Sequence, residues 1–216
     1  MKNILNNIKC NKKLSIVYFV IFLVMLFAVY QYYIFKKPVE SKPNSVVTVS
    51  TDKPDESKKN ADEYNWQGGP EDPKKIIIEK LNVDSYVQKM GVDQNKQIAV
   101  PSNIHLAGWF VDSVQPGKNG LSIIAGHVSG PTQDGVFKQL NQLKKGDSFK
   151  VELGNGKVLN YKVIDNTDVK VEDSANVLFS QDPAVKSQVN LITCGGEFDR
   201  SQDQYKNRII VSGELQ

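Results

Sequence analysis

The sequence predicts a mostly β domain, a closed barrel or a sandwich, standing behind one N-terminal transmembrane helix. Three observations predict it: a 22-residue apolar run near the N-terminus, a polar stretch after it, and then eight short β-type runs separated by turn residues. The chain of 216 residues has room for one ordinary domain and an appendage, and too few residues for two large domains.

The apolar run is LSIVYFVIFLVMLFAVYQYYIF, residues 14–35, with Ser15 and Gln31 as its strongly polar members. Coiled as a helix, it is long enough to cross a hydrocarbon core of roughly 30 Å. Lys2, Lys9, Lys12 and Lys13 precede it without an acidic residue, which puts residues 1–13 in the cytoplasm. Tyr30, Tyr32 and Tyr33 suit the opposite interface. The following KKPVESKPNS offers no small-x-small cleavage site, so the run reads as an uncleaved signal-anchor of a single-pass membrane protein. Everything past about residue 36 is then expected outside the cell.

Residues 36–72 mix Pro, Ser, Lys, Asp and Asn with few large apolar side chains. Such a stretch buries too little surface to offset its chain entropy, and reads as a solvated tether. From residue 73 to 216 the pattern is that of a folded domain. Its strand candidates are IIIEKL (76–81), YVQKMGV (86–92), QIAV (97–100), LSIIAGHV (121–128), SFKVEL (148–153), VLNYKVIDNTDV (158–169), VNLITC (189–194) and RIIVSGEL (208–215). Asn155-Gly156 between two of them is a hairpin signal. A short helix is expected over 134–142, where Val136, Phe137 and Leu140 share a face, and another over about 174–181.

Charge excludes one class of partner. Residues 1–70 carry 10 Lys against 6 acids, whereas residues 71–216 carry 17 Lys and Arg against 18 acids. A near-neutral domain lacks the basic stripe that nucleic-acid binding needs. Of the 27 basic residues, Arg200 and Arg208 alone are arginine. Each is either kept for its planar fork or a chance survivor in a lysine-rich chain. Arg200 lies in the polar FDRSQDQ and reads as solvated.

Chemistry has few carriers. Cys10 sits in the cytoplasmic leader, so Cys194 is alone in an extracytoplasmic domain, without an intrachain partner. It is a buried inert thiol, half of an intermolecular disulfide, or a nucleophile. It closes the run VNLIT and precedes Gly195-Gly196, at what reads as a strand end on a barrel rim. A nucleophilic thiol needs a base or cation beside it. His127, in IIAGHVSG, stands where a β-run meets Gly-rich sequence; His105, in PSNIHLAGW, reads as a surface or packing histidine in irregular chain. Arg208, opening the last run, can donate charge-assisted bonds to an oxyanion. Glu172 and Asp173 are adjacent, but no spaced oxygen-ligand loop accompanies them, so neither a metal nor a cofactor is expected.

AGH (125–127), LITC (191–194) and Arg208, in that order behind an N-terminal anchor, resemble the His, Cys and Arg signatures of sortases over about residues 73–215. The flanking GWF (108–110), PG (116–117), GVFKQLNQLKKGD (135–147), CGGEFD (194–199) and YKNR (205–208) look most like class F sortases. The resemblance implies a closed eight-stranded barrel with one or two short helices. It also implies a cysteine transpeptidase that cleaves an LPxTG-like sorting signal between Thr and Gly through a thioester. Cys194 would attack, His127 would pass the proton between departing and incoming amines, and Arg208 would stabilise the oxyanion. The partners implied are sorting-signal-bearing secreted proteins and an amine acceptor, on a cell-wall precursor or a pilin Lys. Thr193 resembles the family's Thr before the Cys, or is a β-branched strand residue. The segment 171–188 resembles the long connection that helps form the sorting-signal groove, where Val171, Ala175 and Leu178 either line the groove or belong to the core.

Three rival readings remain at this level. One is a non-catalytic, membrane-tethered β-barrel that binds peptide or wall polymer. A thiol–disulfide enzyme would need a second cysteine, which Cys194-Gly-Gly-Glu lacks. A cysteine protease differs only in using water to capture the thioester.

Overall fold

A computed structural model of the chain describes residues 18, 22–27, 30, 54–56, 64–93, 97–202 and 204–216. The chain divides into two compact units, Met1–Asn44 and Ser45–Gln216. In the first, Tyr18, residues 22–27 and Tyr30 are helical and exposed; the rest of the predicted anchor and the 1–13 leader lie outside the described residues. Among the described residues, no helix is long and apolar enough to cross a membrane.

The second unit is a closed barrel of eight strands. They are β1 (Pro73–Ile78), β2 (Val83–Met90), β3 (Ala107–Phe110), β4 (Gly120–Gly126), β5 (Ser148–Leu153), β6 (Val158–Lys170), β7 (Ser187–Asp199) and β8 (Gln204–Leu215). Their order around the barrel is β1-β2-β3-β4-β7-β8-β6-β5, closed by antiparallel pairing of β1 with β5. Seven of the eight expected runs become strands. The eighth, QIAV, forms only an isolated bridge between Ile98 and Val92. The eighth strand is instead AGWF, whose four residues are too short for alternation to show; it pairs parallel to β2 and antiparallel to β4. The hairpin signal at Asn155-Gly156 joins β5 to β6, with Leu153 N–H donating to the Lys157 carbonyl at 2.8 Å.

The two helix expectations fare differently. The second becomes α1 (Val171–Leu178), a few residues earlier than the pattern indicated. The first is not a helix over 134–142: it is a chain of turns ending in a 3-10 turn, Leu140–Gln142. Phe137 and Leu140 are fully buried all the same. Their apolar spacing serves turns folded onto the barrel, closed by i→i+3 backbone bonds from Lys138 to Gly135, Leu140 to Phe137 and Leu143 to Leu140.

Inside the barrel, alternate residues of each strand fill the interior, as a small barrel requires. Ile76, Ile124, Phe149, Val151, Tyr161, Leu191, Ile209 and Val211 belong to this core. Phe149 and Tyr161 stack with centroids 5.2 Å apart, and the Tyr161 hydroxyl accepts from the Gly117 N–H at 2.8 Å. Parts of the 36–72 stretch, read as a tether, are bonded to this unit. Asp55 N–H donates to the Ser102 carbonyl at 2.7 Å and Asp55 bridges Asn103. The Glu56 carboxylate accepts from Thr132 N–H, Gln133 N–H and Thr132 Oγ1 at 2.6–2.8 Å. The Trp66 indole N–H reaches the Val87 carbonyl at 3.1 Å. Backbone and capping bonds of this kind leave no hydrophobic period to read in the sequence.

Candidate active site

The site is set by the register of three neighbouring strands, β4, β7 and β8. β7 lies between the other two, parallel to β4 and antiparallel to β8. Cys194 is paired directly with Arg208. Directly opposed residues on neighbouring strands share a face, with Cβ atoms about 5 Å apart. On the other side, Ala125 pairs with Ile192, an offset of 67 residues along the chain. β4 ends at Gly126 and His127 follows it directly; carried two residues past the ladder, the same offset of 67 leads from His127 to Cys194. Cys194 and Arg208 thus stand in one row on β7 and β8, and His127, the first residue past β4, continues that row by offset.

Alternation decides which face they occupy. Leu191 and Val189 point into the core, so Asn190, Ile192 and Cys194 face outward. Ile192 packs there with Ile123, Leu178 and Ile210, and with Phe110, Val169 and Val177. This apolar floor runs under α1 and ends, two residues along β7, at the thiol. Gln188 and Asn190, on the same face, tie α1 down: Asn190 Nδ2 donates to the Leu178 carbonyl at 2.8 Å and Gln188 Nε2 to the Ser180 carbonyl at 3.1 Å.

Cys194 does not end its strand, as the sequence had suggested, and Arg208 does not open its own. β7 continues to Asp199 and β8 begins at Gln204, with the register shifting between Gly195 and Phe198. Gly196 sits in that irregularity at φ +72°, which an L side chain adopts only with strain. The bulge bends the hairpin beyond the thiol. Gly135 has a separate steric reason: a Cβ there would lie 2.3 Å from the His127 carbonyl oxygen. Phe137 N–H donates to that oxygen at 2.9 Å, fixing the backbone at His127.

His127 is half-buried, and its Nε2 lies 2.7 Å from the Pro101 carbonyl. A carbonyl only accepts, so Nε2 carries the proton and Nδ1 is the nitrogen left to titrate. Burial pushes the His127 pKa below the usual histidine range, and the Pro101 bond offsets this in part. Burial pushes the Cys194 thiol up, and the nearby Arg208 charge draws it back down in part. Arg208 is half-buried; its Nη1 donates to the carbonyls of Tyr205 at 3.0 Å and Asn207 at 2.9 Å. Among the described residues, those carbonyls are its polar partners, so no carboxylate neutralises its charge. A free thiol, a histidine with one nitrogen fixed and a guanidinium held by backbone carbonyls through Nη1 can together attack a carbonyl, move one proton and hold an oxyanion.

The substrate-binding candidates separate. Thr193 faces the barrel interior, buried, with Oγ1 donating to the Gly126 carbonyl at 2.8 Å. It stitches β7 to β4 one step before the Cys–His pair and does not reach the outer groove. Leu178, the last residue of α1, is buried in the floor, Val171 is half-buried, and Ala175 is exposed on the helix's outer side. Ile192, Val177 and Phe110 pack on the same floor and were not among the sequence candidates. The signal for Ile192 was its place two residues before Cys194 on the same strand. His105 lies in the turn before β3, its N–H bonded to Asn103 Oδ1 at 2.9 Å, and Arg200 is exposed in the turn joining β7 to β8.

The sortase-domain family model matches residues 76–216, well over half of the chain. No curated protein matches. Among solved structures, a lid mutant of sortase A from Corynebacterium diphtheriae is similar at TM-score 0.51 and 23% identity, covering 66% of this chain and 68% of that one. Sortase C2 of pilus island 1 from Group B Streptococcus gives 0.51 and 22%, covering 69% and 76%. Sortase C from Streptococcus pneumoniae gives 0.52 and 21%, covering 69% and 70%. These identities speak for the fold alone, and the family model carries the membership. The chain belongs to the sortase family, and as an enzyme it is a transpeptidase.

Proposed function

We propose that this sortase cleaves an LPxTG-like sorting signal between Thr and Gly and transfers the protein ending in Thr to an amine. The observation that carries the reading is the pairing of Cys194 with Arg208 on β7 and β8, with His127 the first residue past β4, the strand on β7's other side. Cys194 attacks the Thr carbonyl, and Arg208 donates to the oxyanion that forms. His127 gives its proton to the departing Gly amine, leaving a thioester, and takes one from the incoming amine. The apolar floor of Ile192, Ile123, Val177 and Leu178 suits the Leu and Pro of such a signal.

The acceptor we propose is an amine of a cell-wall precursor or a pilin Lys, and the substrates are secreted proteins bearing the signal. The flanks CGGEFD and YKNR support placement near class F. The apolar run 14–35 and the four lysines before it support a single-pass anchor with residues 1–13 cytoplasmic, 36–72 a connection and 73–216 an extracellular catalytic domain. The test is a quenched LPxTG peptide offered to the full chain in detergent, with and without an amine acceptor. Cleavage with amine capture, abolished by Cys194→Ala, is the expected result. No cleavage across a varied peptide set would favour the non-catalytic binding module, and cleavage without capture would favour hydrolysis.

A further inference from the structure

The two flanks of the row are joined by a bond that passes over the cysteine strand. The Tyr205 hydroxyl and Ser129 Oγ are 2.8 Å apart and partly buried. Tyr205 lies on β8 and Ser129 two residues beyond His127, past the end of β4, whereas β7 runs between those strands. The bond therefore spans from the arginine side of the site to the histidine side. Its reach comes from the bulge at Gly195 to Phe198, after which Phe198 pairs with Tyr205 and packs edge-on against its ring, centroids 5.1 Å apart at 73°. On the histidine side, Ser129 is bridged to Asp134 at the base of the turn that follows His127. On the arginine side, the carbonyl of the same Tyr205 accepts from Arg208 Nη1 at 3.0 Å. One residue thus grips the guanidinium with its backbone and the histidine loop with its side chain.

We propose that Tyr205 is a positioning residue that fixes Arg208 and His127 relative to each other across Cys194, with Ser129 as its partner. It touches no reacting atom; it acts through Arg208 and the His127 loop. The inference rests on the proposed catalytic roles. Released from Ser129, the hairpin tip swings on the bulge, and Arg208 loses a fixed place from which to meet the oxyanion. Because misplacing a catalytic group by about 1 Å can cost up to about 100-fold in rate, a loss of roughly tenfold is the expected scale.

The test compares Tyr205→Phe, Ser129→Ala and the double variant in the full chain, reading kcat and KM with an LPxTG peptide. Each single variant should lower kcat roughly tenfold with KM within about twofold, and the double variant should be no worse than either, as coupled residues behave. Ser129→Thr keeps the hydroxyl and should restore the rate. On an Arg208→Ala background, Tyr205→Phe should have little further effect. Multiplying single-variant losses, or an undiminished loss without Arg208, would overturn the proposal, as would an unchanged kcat in both single variants. The rate of Cys194 alkylation by iodoacetamide at fixed pH needs no peptide. It should fall in both single variants even if no peptide is cleaved, so a failed peptide assay with shifted alkylation would count against the substrate reading and not against the positioning role.

Discussion

On the inner face of β4, β7 and β8, Ile124, Leu191, Ile209 and Val211 are packed in the barrel core. One residue along on the outer face stand Ile123 and Ile210, buried in a small apolar cluster, and Ile192, Cys194 and Arg208, half-buried beside it. The same strands therefore hold the fold with one face and present the candidate site on the other, because a period of two sends neighbours to opposite sides. What separates the faces is degree of closure. The inner one is sealed on all sides by other strands, so its side chains contribute mainly to stability. The outer one is covered only in part, so Ile123 and Ile210 are buried there while Ile192, Cys194 and Arg208 keep some exposure. Rigidity at the site is then a by-product of packing behind it.

That contrast can be broken by exchanging adjacent residues. Leu191→Ala should lower the unfolding free energy by about 2–5 kcal/mol, since a fully buried leucine leaves a cavity. Ile192→Ala should cost clearly less in stability and instead raise KM for a sorting-signal peptide. Chemical denaturation and steady-state kinetics on the two variants test this, and equal stability losses would erase the distinction. Arg208→Ala should cut kcat by about 10²–10³-fold, the scale for a lost oxyanion donor, with a thermal midpoint close to that of the parent.

The pH profile sharpens the outer face. In the proposed mechanism, attack needs a Cys194 thiolate beside a His127 imidazolium. The thiolate is gained as pH rises toward a thiol pKa that burial has raised. The imidazolium is lost as pH rises through a histidine pKa that burial has lowered. The charged pair is therefore a minority at every pH, and kcat/KM should stay level between the two pKa values and fall about tenfold per pH unit outside them. In Arg208→Ala the upper limb should move to higher pH, because the charge that holds the thiol down is gone. The smallest effect belongs to the seam between the faces: Thr193→Val, which removes the bond to the Gly126 carbonyl, should destabilise by about 1 kcal/mol in denaturant melts.

Much of this layout was legible in the sequence because strand pairing translates into spacing. Seven strands announced themselves by β-rich runs, and the 67-residue interval from His127 to Cys194 equals the offset of β4 on β7. What stayed hidden depends on contacts between distant backbone groups. β3 is four residues long with a glycine inside it, too little for a period. The Pro101 carbonyl that fixes His127 is a backbone acceptor, available at any residue and so signalled by none. Thr193 beside Cys194 looked like a substrate contact, yet odd positions of β7 face inward, as Leu191 does. The bulge after Gly195 carries β7 past its expected end and lets Tyr205 reach Ser129. The packed pieces of the 36–72 stretch are held by polar bonds of Asp55, Glu56 and Trp66, which composition does not register.

The most direct measurement is the intact mass of the full chain in detergent, acid-quenched seconds after mixing with an LPxTG peptide. The account predicts a mass increase equal to the peptide up to its Thr, mapped to Cys194 and discharged by an added amine. No adduct on Cys194 while the peptide is being cleaved, or an adduct that persists in Cys194→Ala, would contradict it.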